Sequence, residues 1–582
     1  MTARTGTFTV ELEGRGPLTI RPSDHFATGG EASVYKAHRT SVKIYTDPKK
    51  MRRDGMVDKI RLLKPLAHRF VCAPEGIVKD SHGDPIGLYM PFAEGEALPR
   101  IFASSYWQRE GFGIDAAKKL VDHMRDTVRF AHDHKAVMVD SNELNWIVSL
   151  TSRNDPEPRA IDVDSWAIGR FGPKAIMLSI KDWHAKEFND LTDWFAWGIV
   201  TFQVFTGIHP YRGTLDGYTQ KDLEKRMKDG ASVFAKGVRL NNAVRDFSTI
   251  PAPLLEWYTA TFQKNERTEP PSPFDKGIAA VAPAARIHKT VTSASGSLIF
   301  DKLFERVGDK VVRTWPCGVV LTASGSLFEI RTKREIGKSG LRVEVVKTDG
   351  GWLLADTTSV GQEYAFIDER TLQAQSLPFS LRGHAVFRYE NRLFLVTESE
   401  LVELKLMKVG RPLLAIGPRT QVLQPRATNW FDGVGVQKAF DATFMVMPFG
   451  DAACINVRVK ELDGETAIAA RAGNRFVTVI TLDKKGSYRK HEFMFSAEYR
   501  SYTHWDDVVD SPELNIAILP RGVTAMVLDD GELTIFVPTN GKVHKVKDRM
   551  IEADMILANW DDTVIYVKDG ALWSLRMKSA AS

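Results

Sequence analysis

Alternation of apolar and polar residues dominates the first hundred positions. "TFTVELEG", "SVYKA", "SVKIY" and "PIGLYMPF" are short, rich in β-branched or aromatic residues and divided by Gly, Pro and Asp, which predicts strands. Between them, "KKMRRDGMVDKIRLLKPL" spaces Met56, Ile60 and Leu63 as a helix does. From about residue 113 the period changes. "GIDAAKKLVDHMRDTVRFAHDHK" puts Leu120, Met124, Val128 and Ala131 on one helical face. "LTDWFAWGIVTFQVFTG" is apolar almost all round and predicts a buried helix ending at Gly207, with Pro210 beyond. After about residue 293 helical spacing nearly vanishes. A tight turn followed by an alternating strand recurs there: "ASGSLIF" at 294, "ASGSLFEI" at 323, "ENRLFLV" at 390, "GNRFVTV" at 473, "DDGELTIF" at 529 and "DGALWSL" at 569.

Recurrence at a few tens of residues in an all-β stretch suggests the blades of a β-propeller, with roughly seven blades at ~40 residues each. Gly-His and Trp-Asp signatures are missing, and a pair of β-sandwiches is the alternative. The stretch "KNERTEPPSPFDKGIAAVAPAARIHKTVTSASG" is rich in Pro, Ala and Ser and reads as a linker. The chain of 582 residues therefore divides into 1–100 (strand-rich, one helix), 101–270 (helical), a linker at 271–292, and 293–582 (all-β).

Composition narrows the classes. At 43% hydrophobic and 26% charged the chain is ordinary globular protein. A net charge of +5 with no long charged run gives no reason to expect nucleic acid or a membrane as partner. Cys72, Cys317 and Cys454 lie far apart, which suits a reducing compartment and disfavours a zinc site. The first residues hold no apolar run of the signal-peptide kind, and no stretch reaches the roughly 18 apolar residues of a membrane helix, so a cytoplasmic location is expected.

Chemistry enters with "ATGGEASVYKA". A Gly-rich turn between strands lets backbone amides approach phosphate oxygens, although many hairpins hold Gly-Gly. In "SVKIY", Lys43 alternates with Val42 and Ile44 and can point into a cleft; a solvent-facing edge lysine is the plain alternative. In "VDSNELNWIV", Asp140 and Asn145 are separated by five and precede a strand, a spacing that suits a base and a metal ligand on one loop. In "RAIDVDSW", Asp162 follows an apolar pair and precedes Asp164, and carboxylates so placed suit Mg²⁺. His132 and His134 read as helix-end residues near carbonyls, not metal ligands.

The order is less ordinary than its parts. Gly turn, strand Lys, Asp-x4-Asn, strand Asp and buried helix together resemble the eukaryotic-type (Hanks-type) protein kinases. "D-x-D-S" in place of Asp-Phe-Gly, with "GGEASVY" and "GLYMPF", is similar to an atypical bacterial and phage subgroup. The resemblance covers roughly residues 20–270 and implies an α+β bilobal fold, with 1–100 as small lobe and 101–270 as large lobe. It implies ATP and Mg²⁺ as cofactors. Gly29, Gly30, Glu31 and Ala32 would cover the phosphates, with Val34 packing on the base. Lys43 would hold the phosphates. Met90 to Ala93, including Phe92, would form the hinge. Asp140 would act as base, Asn145 and Asp162 as metal ligands, and Asp193 as the brace of the catalytic loop.

Departures are visible. Ala27 and Ala32 replace loop glycines, and Met138-Val139 replaces His-Arg before the base, which removes the partner of a phosphorylated activation loop. No Glu lies between Tyr45 and Arg69 to pair with Lys43. Asp58 is the expected substitute, and Asp164 is expected to support the loop, the metal or a helix cap. The function implied is Ser/Thr protein phosphorylation, with the propeller docking a protein substrate. The alternatives are a nucleotide-binding pseudokinase scaffold, a small-molecule phosphotransferase and an assembly protein.

Overall fold

The computed structural model describes residues 6–578 except 153–154, 241–243, 278–297, 359–360, 423, 440, 451, 528–531, 538–541, 547, 549 and 553–554. Most of the expected linker and part of the turns at 294 and 529 lie outside the described residues.

The four predicted strands form, as β1 (Phe8–Leu12), β4 (Ala32–Ala37), β5 (Thr40–Tyr45) and β7 (Pro85–Pro91), and three more join them: β2 (Gly16–Ile20), β3 (His25–Thr28) and β6 (Gly76–Lys79). They make one antiparallel sheet, ordered β2-β1-β6-β7-β5-β4-β3. Its two faces follow the period of two. Val42 and Ile44 join Val10, Tyr35 and Val78 on one face, while Tyr45 joins Ala32, Leu88 and Met90 on the other. That second face is covered by α1 (Pro48–Arg53) and α2 (Met56–Leu63) through Met51, Met56 and Ile60. One helical stretch was expected here and two short helices are found. Gly55, at φ 73°, separates them in a conformation that residues with a Cβ rarely adopt.

Next come β8 (Glu96–Ala97), α3 (Pro99–Phe102), α4 (Ser104–Glu110) and α5 (Ile114–Asp133). The β9 strand (Ala136–Val137), β10 (Trp146–Ser152), β11 (Asp155–Ala160) and β12 (Ala167–Ile168) follow, then α6 (Asp190–Thr206), α7 (Leu223–Lys228) and α8 (Ala252–Gln263). Leu120, Met124, Val128 and Ala131 of α5 are buried as its pattern requires. In α6 almost every residue from Thr192 to Thr206 is buried. The helix is capped reciprocally by Asn189 and Thr192 and stopped by Gly207 at φ 79°. Two small pairings flank the loops that follow α5. The β10–β11 hairpin and the β9–β12 pair bring residues 138–145 against 161–166.

The C-terminal part is all-β. Among the described residues it contains seven four-stranded antiparallel sheets, six of them built from consecutive strands (311–338, 343–376, 385–421, 428–458, 466–509 and 516–546). In the seventh, β13 (Leu298–Phe304) joins the last three strands and pairs with Ala571–Met577. Apolar clusters lie between each sheet and the next. Trp315 and Trp352 join the first to the second, Phe493 and Met445 the fifth to the fourth, and Phe304, Val320 and Ile565 the seventh to the first. The recurrent turn motif marks hairpins but not equivalent ones. It falls between the second and third strands at 323 and between the first and second at 390 and 473. Its turns differ too: Asn474-Arg475 and Asp569-Gly570 each put two successive residues at positive φ, whereas the turns at 323 and 390 put one, Gly325 and Glu390.

The sheets and helices share a core. Ile468, Ile480, Leu482 and Tyr488 of the fifth sheet extend the helical cluster of α5 and α6. Gly486 lies so close to Ser179 that a Cβ there would sit 1.9 Å from its Oγ. Arg426 donates to Asp24 (2.7 Å) and to the carbonyl of Lys36, tying the fourth sheet to the N-terminal one. No helix among the described residues is long and apolar enough to cross a membrane.

Candidate active site

Three carriers converge. The β5 strand presents Lys43 on the face that holds Tyr45, opposite Val34 and Leu88. The turn after β11 presents Asp162, in the left-handed region at φ 58°, and Asp164 on the single 3₁₀ turn that follows. Lys43 Nζ donates to Asp162 Oδ1 at 2.6 Å and to Asp164 Oδ1 and Oδ2 at 2.8 and 2.9 Å. Tyr45 donates its hydroxyl to the same Asp164 carboxylate. Burial opposes the charge on Lys43, but the carboxylates of Asp164 and Asp162 outweigh it and raise its pKa. Asp164 is fully enclosed. Burial works against its ionisation, yet Lys43 and the Tyr45 hydroxyl hold its carboxyl below the usual range. Asp162 is pushed the other way, by burial and by the neighbouring Asp164 against the pull of Lys43.

The expected Lys43–Asp58 pair is not found. Asp58 is on the exposed side of α2, 3.0 Å from Arg170 and 3.7 Å from Arg61. Its place toward the site is taken by Lys59, which is 2% exposed and donates Nζ to the Asp164 backbone carbonyl at 2.7 Å. Burial, with Lys174 adding to it, lowers the Lys59 pKa to about 8. The signal was in the spacing: Lys59 follows Met56 by three and precedes Leu63 by four, so it shares the apolar face.

On the loop after β9, Asp140 Oδ1 accepts from Asn142 Nδ2 (3.0 Å) and from the Met177 amide (2.9 Å). Burial raises the Asp140 pKa against these two bonds. Asn145 donates Nδ2 to the Asp140 carbonyl at 2.7 Å, a bond that does not use its oxygen Oδ1. Asp193, fully buried at the start of α6, accepts from the amides of Met138 (2.7 Å) and Val139 (2.8 Å), the bracing position expected for it. His132 is also on Asp193, at 3.0 Å, not on helix carbonyls; His134 does bond the Phe130 carbonyl. Neither Asn142 nor Met177 stood out in the sequence.

The Gly-rich turn is short. Gly29 N–H bonds the Ala32 carbonyl at 2.9 Å, and a Cβ built on Gly30 would meet nothing within 4 Å, so the space beside the turn is open. Glu31 is held by Lys174 at 2.7 Å, which links the turn to the segment after Asp164. Ala32 and Met90 are buried in the sheet core. Val34 is only partly buried. The Phe92 amide bonds the Arg39 carbonyl, so within residues 90–93 Phe92 offers a ring and a carbonyl, not its N–H.

The donor set fits a hard cation. Asp162 and Asn145 bring carboxylate and amide oxygens, the ligands Mg²⁺ prefers, and among the described residues no group of three His, Cys, Asp or Glu could hold a metal unaided. Two protein ligands completed by phosphate oxygens and water is the usual habit of Mg²⁺ at nucleotides. Comparison with known protein families finds no family model that matches this chain, and comparison with curated proteins finds no relative.

Two outcomes follow from this geometry. Asp164→Asn breaks a buried pair and is expected to destabilise the protein by about 3–5 kcal/mol, whereas Asp58→Asn on the surface should change stability by about 0.5 kcal/mol or less; denaturant unfolding distinguishes them. Glu143, fully buried between Asn142 and Asn145, has its pKa pushed up to about 7 by burial and by Asp140. Its folded pKa exceeds the unfolded one, so wild type loses stability as pH rises from the ordinary Glu range to about 7. Glu143→Gln should remove that loss, so melting temperatures should separate in the variant's favour across this window and stay parallel above it.

Proposed function

We propose that this chain is an ATP- and Mg²⁺-dependent Ser/Thr protein kinase of the cytoplasm. In this reading residues up to about 270 form a two-lobed, kinase-like unit, and the seven sheets form a β-propeller that docks a protein substrate. The observation that carries the reading is the meeting of Lys43, Asp162 and Asp164 in one ion-pair cluster, with the Asp140–Asn145 loop beside it. Five residues from three stretches, in the order of the kinase motifs, stand on polar loops and a strand held together by shared apolar packing.

Each residue has a task in that chemistry. Lys43 offsets phosphate charge in a buried setting where charge interactions are strong. Asp162 and Asn145 would hold Mg²⁺, which when bound neutralises charge on the transferring phosphate. Asp140 orients the acceptor hydroxyl and takes its proton. Asn142 and the Met177 amide engage Oδ1, which leaves Oδ2 for that hydroxyl. Asp164 replaces the missing helix carboxylate as the partner that fixes Lys43.

One observation favours a second reading. Lys43 Nζ stands 2.6 Å from Asp162 Oδ1 and engages an oxygen that a metal would need, as in a nucleotide-binding scaffold without turnover. Transfer of labelled γ-phosphate from ATP to a generic protein mixture separates the two. Under the kinase reading wild type transfers label only with Mg²⁺, and Asp140→Asn and Asp162→Asn each lower the rate by roughly 100-fold or more. ATP binding with no transfer by wild type would establish the scaffold instead.

A further inference from the structure

The ring of sheets encloses a cavity of about 400 Å³ at the end that meets α3 and α4. Its wall alternates in charge. First strands of the first, third and fifth sheets bring Arg313, Arg388 and Arg471; the second brings Glu344, and Asp432 follows the first strand of the fourth. Arg100 and Arg109 close it from α3 and α4, and Glu96 adds a third carboxylate. Five guanidiniums thus face three carboxylates. Glu110, outside the wall, is 3.0 Å from Arg109, but it also serves Arg342 at 3.1 Å, so the excess of two positive charges stands.

The cations crowd Asp432. Arg388 Nη2 is 2.9 Å from one of its oxygens and Arg471 Nε 3.0 Å from the other. Burial works against ionisation of Asp432, yet Arg388, Arg471, Arg313 and Arg109 together hold its carboxyl below the usual range. Arg313 donates to Glu344. Arg388 Nε lies 3.7 Å from Glu344, beyond a hydrogen bond, and has no hydrogen-bond partner although its side chain is only 11% exposed. Buried positive charge without matching anions is costly, and an unpartnered guanidinium N–H adds to that cost.

We propose that this cavity is a binding site for a small phosphomonoester, seated on Arg388 and Arg471 beside Asp432 and closed by α4. A phosphomonoester dianion matches the excess of two charges. Its three terminal oxygens accept from guanidiniums arriving from several directions, which a planar carboxylate does not. The volume falls in the range of small-ligand sites. An occupant would touch both the ring and the helical region. The proposal is independent of the function proposed above, because no residue is shared.

The test uses the full chain without divalent cation, wild type beside Arg388→Gln, which leaves the Lys43 site intact and so reports any phosphate bound there. Inorganic phosphate, AMP and glucose 6-phosphate are titrated and followed by calorimetry and melting temperature, with adenosine, glucose and chloride at matched ionic strength as controls. Saturable stabilisation by a phosphate compound but not by the controls is expected. Arg388→Gln should weaken it by roughly tenfold or more, and Arg388→Lys by less. Thr314→Trp, which narrows the cavity and keeps every charge, should also abolish it. No phosphate-specific binding by the full chain, or binding that Arg388→Gln and Thr314→Trp leave unchanged, would overturn the proposal.

Discussion

A lysine buried beneath a sheet cannot stay charged without carboxylates, and Lys43 has two. That demand organises the N-terminal half. Strand β5 fixes the lysine, and the left-handed turn at Asp162 lets two acids, two residues apart, reach the same ammonium. Tyr45 completes Asp164, and Lys59 anchors α2 to the Asp164 carbonyl. The helix thus docks on the charged centre through a backbone acceptor, with no acid of its own. Under the proposed kinase reading, the Asp-x-Asp turn would supply the carboxylate that fixes Lys43.

The all-β half is not a distant appendage. Its fifth sheet enters the helical core, and the turn at Gly486 rests on Met177 and Ser179. Met177 in turn donates its amide to Asp140. A packed path therefore runs from the ring to the candidate base. On the other side, Arg426 holds Asp24 at the entrance to β3, the strand that leads into the Gly-rich turn. Contacts on both flanks bind the ring to the N-terminal sheet and to the helical region at once.

Much of this was legible in local pattern. Period-two runs located β1, β4, β5 and β7, and the apolar stretch at 190–206 located α6 with its glycine stop. Asn145 bonds a carbonyl five residues away on its own loop, whereas Asp193, whose amide partners lie 54 and 55 residues back, was expected from the order of motifs and not from local pattern. Partnerships across 119 and 121 residues were not legible. Asp58 was the expected partner for Lys43 and Asp164 only a support for the loop, the metal or a cap; the apolar face of α2 set by Met56, Ile60 and Leu63 carries Lys59 inward and leaves Asp58 to solvent. The turn motif in the last 290 residues reported hairpins, which repeat wherever two strands meet. The length at ~40 residues a unit predicted about seven sheets, and seven are found among the described residues, but nothing in the motif showed that β13 returns to close the last one.

The most direct measurement of the central claim is where a divalent cation binds when nucleotide is present. Crystals grown with Mn²⁺ and a non-hydrolysable ATP analogue would be measured at the manganese edge. The account predicts an anomalous peak coordinated by the Asp162 carboxylate and Asn145 Oδ1, with Lys43 against the phosphates and Asp164 still paired to it. A peak elsewhere, or nucleotide bound with Lys43 still closed on Asp162 and no cation beside Asn145, would contradict it.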